Sequence, residues 1–306
     1  MTERQAILTF DLEDWFQLTG RRFSLSPGRI TRGRLRAQVG RILDILARHA
    51  TYATFFVLGM TAESCPEAID DVRAAGHEIG SHGYGHQLVK TLDPETFRAD
   101  LARSAAVLRD IVGVRPVGYR APEFSVDRAS FWALDVLLDE GFRYDSSIFP
   151  FKGPRYGIGD FPLEPHRVKA PSGRSIIELP LAVVEALNRR IPVAGGGYWR
   201  LMPAPALAWA MDRFGETQYP VLYFHPAEFD ARTLNPPLLT AAIAQMALKQ
   251  NLGRRSVPAK LEALLARRRC ISVAQYLAEH PLPDDGRPST VARSAGATSS
   301  AVAPVA

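Results

Sequence analysis

The sequence is poor in cysteine. Cys65 and Cys270 are the two thiols in 306 residues, too few and too far apart for a disulfide framework and suited to a reducing compartment. It has no run of about 18 apolar residues, so no membrane span is expected. Residues 1–5 enter a strand pattern without a charged segment followed by an apolar one, so no signal peptide is expected and the expected location is cytoplasmic. No basic patch with interleaved aromatics is present, so nucleic acid is not an expected partner. The 37 Lys and Arg against 32 Asp and Glu give a net charge of +5. The arginines are scattered, the pattern of a solvated basic surface, and peripheral contact with the inner membrane face stays open. With 46% hydrophobic and 23% charged residues, the chain is long enough for one large domain.

What is present concentrates in Gly76-His77-Glu78-Ile79-Gly80-Ser81-His82-Gly83-Tyr84-Gly85-His86. Ile79 and its neighbours predict a short buried strand, with His82 and His86 following its end. Four residues apart, the imidazoles share one side of a helical turn and are close enough to share an ion. The glycines allow a sharp turn. Glu78 is a candidate acceptor beneath these histidines. Near the N-terminus, Ala6–Asp11 predicts another buried strand. It runs into Asp11, Glu13 and Asp14, followed by Trp15 and Phe16. Carboxylates this close repel each other, and a bound cation relieves the repulsion.

Strand and helix patterns then alternate. Strands are expected at 53–58, 117–122, 142–145, 176–179 and 221–225. Helices are expected from Leu35, from Pro66 to before Gly76, from Asp93-Pro94 to Gly113, and around 131–138. Residues 150–174 and 182–203 predict loops, the second lying over the site. Helices follow at 204–214, 238–251 and 258–268, and residues 271–277 open as a strand and continue as a helix. From about Pro281 the composition predicts a disordered tail. Seven strand–helix units imply a parallel sheet in a closed or nearly closed β/α barrel. Asp11, His82, Arg120, Asp145 and His225 each stand at the C-terminal end of a different predicted strand, the rim where such barrels place catalytic groups.

At these residues the sequence resembles the polysaccharide deacetylases, the family with the NodB homology domain (carbohydrate esterase family 4). Thr9-Phe10-Asp11-Leu12-Glu13-Asp14, His82-Gly83-Tyr84-Gly85-His86, Arg120-Ala121-Pro122-Glu123-Phe124, Asp145-Ser146-Ser147-Ile148-Phe149 and Leu222–His225 are similar to its five motifs, in order. Gly83 replaces the usual Ser or Thr, Phe124 the usual Tyr, and Leu12 separates acids that are usually adjacent. Gly195–Arg200 and Phe224–Asp230 are similar to a subgroup from bacterial exopolysaccharide loci, including exosortase-associated ones, with a C-terminal extension. The resemblance implies a distorted (β/α)7 TIM-like barrel at 1–230, a helical extension at 231–280 packed on it, and a disordered tail at 281–306.

The implied activity is hydrolysis of N-acetyl groups on an acetylated amino-sugar oligosaccharide or polysaccharide, in an exopolysaccharide or its precursor. The implied cofactor is a divalent ion, zinc by expectation, on His82, His86 and one carboxylate. Strand spacing favours Glu13 for that carboxylate; Asp14 is the choice if the chain has already turned, and the resemblance leans to Asp14, whose shorter side chain matches the usual ligand. By resemblance Asp11 is the general base, held by Arg120. His225 is the general acid, oriented and raised in pKa by Asp145. A backbone N–H near Phe124 serves the oxyanion. Phe124, Tyr198, Trp199, Arg200 and Leu222 are candidate substrate contacts, with Trp15 a further aromatic and Tyr223 expected on the face opposite His225. The alternatives are a metal-independent amidase or ureide hydrolase of the same fold and a non-catalytic carbohydrate-binding barrel.

Overall fold

Strand β1 (Gln5–Leu12) is buried along seven of its eight residues, as a strand apolar on both faces must be when parallel neighbours flank it. In the computed structural model, which describes residues 4–14, 32–230, 232–233 and 240–282, β1 is the spine of the sheet. The other strands are β2 (Thr54–Val57), β3 (Glu78–Ser81), β4 (Gly118–Tyr119), β5 (Tyr144–Asp145), β6 (His166–Lys169), β7 (Ser175–Glu178), β8 (Val183–Ala186), β9 (Arg189–Pro192), β10 (Val221–Phe224) and β11 (Arg269–Ile271). The main sheet runs β10-β1-β2-β3-β4-β5-β7-β6, all parallel except the β6–β7 pair. A parallel bridge from Leu181 to Val221 and the Ala182 N–H to Val221 carbonyl bond, 3.0 Å, bring the chain after β7 back to β10. Seven parallel strands thus ring a core in which Phe10 stacks on Phe55 at 4.9 Å. The architecture is a distorted (β/α)7 barrel.

The helices are α1 (Arg32–Arg48), α2 (Gly59–Ser64), α3 (Pro66–Ala74), α4 (Pro94–Val112), α5 (Trp132–Asp139), α6 (Gly196–Leu201), α7 (Ala204–Asp212), α8 (Ala241–Asn251), α9 (Val257–Leu265) and α10 (Val273–Glu279). Local chemistry sets their ends. The Asp93 side chain accepts the Glu95 and Thr96 N–H groups at the start of α4, and Gly113 closes it at φ 83°. No described helix is long and apolar enough to cross a membrane.

Two expected loops hold regular structure. Residues 150–174 include β6, and 182–203 fold into the antiparallel hairpin β8–β9 and helix α6. The carbonyls and N–H groups there pair locally, which an apolar-periodicity reading does not register. Strand β11 joins the barrel sheet by pairing with Gln5–Ile7 of β1. Trp15 and the tail from Pro283 lie outside the described residues.

Candidate active site

Parallel packing delivers the strand ends to one rim. Asp11 is the last residue but one of β1, and Glu13, just past its end, opens onto the same cleft. His82 follows β3, its N–H bonded to the Val57 carbonyl at 2.9 Å. The ligand atoms of Glu13, His82 and His86 all lie within 4.8 Å of one another, and all three residues are buried. Asp14 is buried too but stands outside this group. The lean toward Asp14 is therefore corrected: the chain turns tightly at Leu12, the Glu13 N–H bonding the Asp11 carbonyl at 3.1 Å, and it is Glu13 that this turn gathers with the histidines.

The histidines are prepared for a cation. The Arg120 carbonyl lies 2.7 Å from His82 Nδ1; a carbonyl only accepts, so the proton is on Nδ1 and the Nε2 lone pair is left for an ion. Burial lowers the His82 pKa and outweighs the nearby acids that raise it, so the ring is held neutral. Glu13 Oε2 is buried with no hydrogen-bond partner among the described residues, although it lies 2.7 Å from His86 Nε2. Burial raises the Glu13 pKa, but His86, His225 and His82 prevail and hold it at about 2. An orphaned buried carboxylate oxygen between two imidazoles fits a divalent ion, and the N, N, O donor set suits zinc.

Asp100 on α4 positions the second histidine. Its carboxylate accepts the Tyr84 and Gly85 N–H groups at 2.7 and 3.1 Å. Gly83 has φ +76°, and a Cβ there would lie 2.8 Å from Asp100 Oδ2. Glycine is thus required at this position, and a carboxylate from the neighbouring helix ties down the turn.

Asp11 and Arg120 meet as expected. Arg120, with no exposed surface, donates from Nη1 to Asp11 Oδ1 at 2.8 Å and to Thr9 Oγ1 at 2.6 Å. It also donates from Nε to the Ser146 carbonyl at 3.0 Å and from Nη2 to Ser146 Oγ at 2.8 Å, and it stacks over Phe56 at 4.3 Å. A guanidinium engaged on so many sides holds the Asp11 carboxylate in one orientation.

His225 has different partners from those expected. Its Nε2 lies 3.4 Å from Glu13 Oε1 and its Nδ1 3.9 Å from Glu228 Oε2. Burial lowers its pKa, but Glu228, Glu13 and Asp11 outweigh burial and raise it to about 9. Asp145 turns away: it accepts from Ser147 Oγ and packs against Glu178. Burial raises both carboxyls, Asp145 to about 6. The assignment of Asp145 to orient His225 is corrected, because the β5 end is spent on the Ser146–Ser147 turn behind Arg120. Glu228 takes the place expected of Asp145; in the sequence it stands three residues after His225, within the Phe224–Asp230 run.

A cleft of about 750 Å³ opens over these groups, lined among others by Phe124, Tyr156, Tyr198, Arg200 and Tyr223. Trp199 is corrected to core: it is fully buried, donates Nε1–H to the Val193 carbonyl at 2.8 Å and packs on Phe224. Leu222 is likewise fully buried, and Tyr223, two residues before His225, shares its face and lines the cleft. Arg200 reaches the cleft, but its Nη1 is bonded to the Gln250 carbonyl and Oε1 at 2.7 and 2.6 Å. The Phe124 N–H donates to the Ala121 carbonyl at 3.1 Å, so it closes a turn and is not aimed at an oxyanion. Glu78 bonds Thr54, Tyr144 and the Ala274 N–H, at the opposite end of β3 from the histidines.

Comparison with known proteins agrees with this geometry. Residues 2–142 match the polysaccharide deacetylase family and residues 146–278 match a domain of unknown function, DUF3473. A peptidoglycan deacetylase of Helicobacter pylori is 32% identical over 125 residues, 40% of this chain and 42% of that one. A peptidoglycan-N-acetylglucosamine deacetylase of Bacillus cereus is 33% identical over 82 residues, 27% of this chain and 30% of that one. The chain spans less than half the length of these relatives. A Mycobacterium smegmatis crystal structure named for polysaccharide deacetylation shares the fold, with TM-score 0.60, 23% identity, and 92% and 91% of the two chains covered. The motif residues, the rim that gathers them and these matches together show a polysaccharide deacetylase domain over residues 2–142, followed by a DUF3473 match over residues 146–278.

Proposed function

We propose that the chain is a metal-dependent N-deacetylase, a hydrolase of non-peptide carbon–nitrogen bonds. Its substrate is an N-acetylated amino-sugar oligosaccharide or polysaccharide, in an exopolysaccharide or its precursor. The observation that carries this reading is the buried Glu13, His82 and His86 group beside the Asp11–Arg120 pair at the floor of the cleft. Cys65 and Cys270, both buried and neither in a disulfide, support the reducing, cytoplasmic setting.

Glu13, His82 and His86 would hold the ion, zinc by preference. When bound, it supplies Lewis acidity, lowering the pKa of water and polarising the acetamide carbonyl. Asp11, fixed by Arg120, takes a proton from the attacking water. His225, whose pKa Glu228 raises, gives a proton to the departing amine. The C–O bond forms first as water adds to the acyl carbon, and the C–N bond then breaks as the amine takes its proton, leaving acetate and a free amino sugar. Phe124, Tyr156, Tyr198 and Tyr223 present aromatic surface along the cleft, suited to the apolar faces of sugar rings.

The test is acetate release from N-acetylated oligosaccharides by zinc-loaded protein. Asp11→Asn is expected to lose about 100-fold or more of the rate while retaining bound zinc. Equal rates in the two proteins, or no release by wild type on any amino-sugar polymer, overturn the reading.

A further inference from the structure

The hairpin β8–β9 lies outside the barrel sheet and carries none of the groups discussed above. Ala186 pairs with Arg189, so Leu187 and Asn188 form a two-residue loop. Both have positive φ, 53° and 56°, the pattern of a type I′ turn. Such turns favour Asn or Gly, because a larger side chain in the left-handed region crowds its own carbonyl. Leu187 is nevertheless there, with 93% of its surface exposed. It contributes nothing to the core and is unfavourable for the turn and for water alike. Strain and exposure together at one residue point to a use beyond the fold.

The surroundings indicate what that use is. Lys152, Arg189 and Arg213 line the same surface groove as Leu187, and none of the three has an ion-pair partner among the described residues. The one acid in the groove, Glu185, is engaged by Arg190 at 3.0 Å. Arg213 lies over the ring of Trp209, 5.0 Å from its centroid, and Trp209 is half exposed. The hairpin is braced from below, where Arg190 Nη1 donates to the Pro150, Gly159 and Phe161 carbonyls. A braced tip ending in leucine, cations in its groove and an indole under one of those cations match the layers of an anionic bilayer. Leucine suits the acyl boundary, the indole the headgroup level and the cations the lipid phosphates. We propose that this hairpin docks the protein on an anionic lipid surface.

Vesicle co-sedimentation of the full chain tests this, using phosphatidylcholine alone and phosphatidylcholine with about a third phosphatidylglycerol. Wild type is expected to bind the anionic vesicles, to be released by high salt, and to leave the neutral ones unbound. Leu187→Gly, which suits the turn and keeps the fold, is expected to weaken binding about tenfold. Arg189→Glu with Arg213→Glu is expected to abolish it. Trp209 emission is expected to shift to shorter wavelength on the vesicles, a change lost in Trp209→Phe. No binding to anionic vesicles, or equal binding by wild type and Leu187→Gly, overturns the proposal. So does a concentration-dependent dimer in sedimentation velocity that Leu187→Gly weakens while vesicles go unbound, since the patch is then an interface between copies.

Discussion

Glu228 Oε2 accepts the backbone N–H of His225 at 3.1 Å and lies 3.9 Å from Nδ1 of the same residue. One carboxylate therefore attends both the main chain and the ring of that histidine. Gly196 makes room for it: a Cβ there would meet Glu228 Oε1 at 1.9 Å. Arg200 Nε, 3.8 Å from the other oxygen, steadies its far side.

The first prediction concerns pH. The His225 pKa rises from 6.5 to about 9 on folding. A raised cationic pKa stabilises the fold fully below about pH 6.5, and that contribution is lost as the pH rises through about 9. NMR titration of chelator-treated protein is expected to place His225 near the upper value and Glu228→Gln to bring it back toward the ordinary histidine range. An unchanged titration in the variant would mean that Glu228 is not the governing neighbour.

The carboxylate ligand is tested by paired substitutions. Glu13→Gln is expected to weaken zinc binding by more than the 10–100-fold typical of groups behind a ligand, whereas Asp14→Asn stays within a few-fold of wild type. Competition against a chromophoric chelator measures both. The reverse ranking would return the role to Asp14.

Asp100 is expected to act on metal affinity without touching the ion. In Asp100→Asn an amino group faces backbone N–H groups that now meet a carboxylate. Zinc affinity is expected to fall about 10–100-fold, at a stability cost of about 1–3 kcal/mol. Hydrogen exchange at the Tyr84 and Gly85 amides distinguishes this from general loosening, because their protection should drop while the β1 amides keep theirs. Unchanged exchange at those two positions would remove Asp100 from the site.

Arg120 and Asp11 form a buried pair, and removing one partner strands the other. Arg120→Met is expected to cost about 3–5 kcal/mol in urea unfolding, with Arg120→Met/Asp11→Leu recovering part of the loss. A single variant as stable as wild type would show that Asp11 is solvated well enough to stand alone.

Much of the site was legible because its residues sit where strand periodicity ends. Asp11, His82, Arg120 and His225 each follow an apolar run, and in a parallel barrel all such ends share a rim. Legibility failed where a side chain's partner comes from another element. Asp100 lies mid-helix in α4 and reads as an ordinary solvated acid, yet it grips the histidine turn. Trp199, beside glycines, reads as a surface platform, but α6 turns it under β10. Tyr223 stands two residues before His225, so strand alternation puts both on the cleft face, and an offset of one position would exchange the two faces.

The sequence alone determined the alternation of buried strands and helices, and with it the barrel and the cluster of acids and imidazoles at its mouth. Apolar periodicity and the stops at Gly and Pro are local properties of a chain. The tertiary structure decided which acid faces the histidines, which carboxylate attends His225, and that Leu187 stands alone in water at the tip of a hairpin. Those outcomes depend on a turn of one residue after Leu12, on a carboxylate three residues past a strand end, and on what packs beneath a loop. Each is a balance of burial and hydrogen bonding among residues distant in sequence, and neither spacing nor composition encodes that balance.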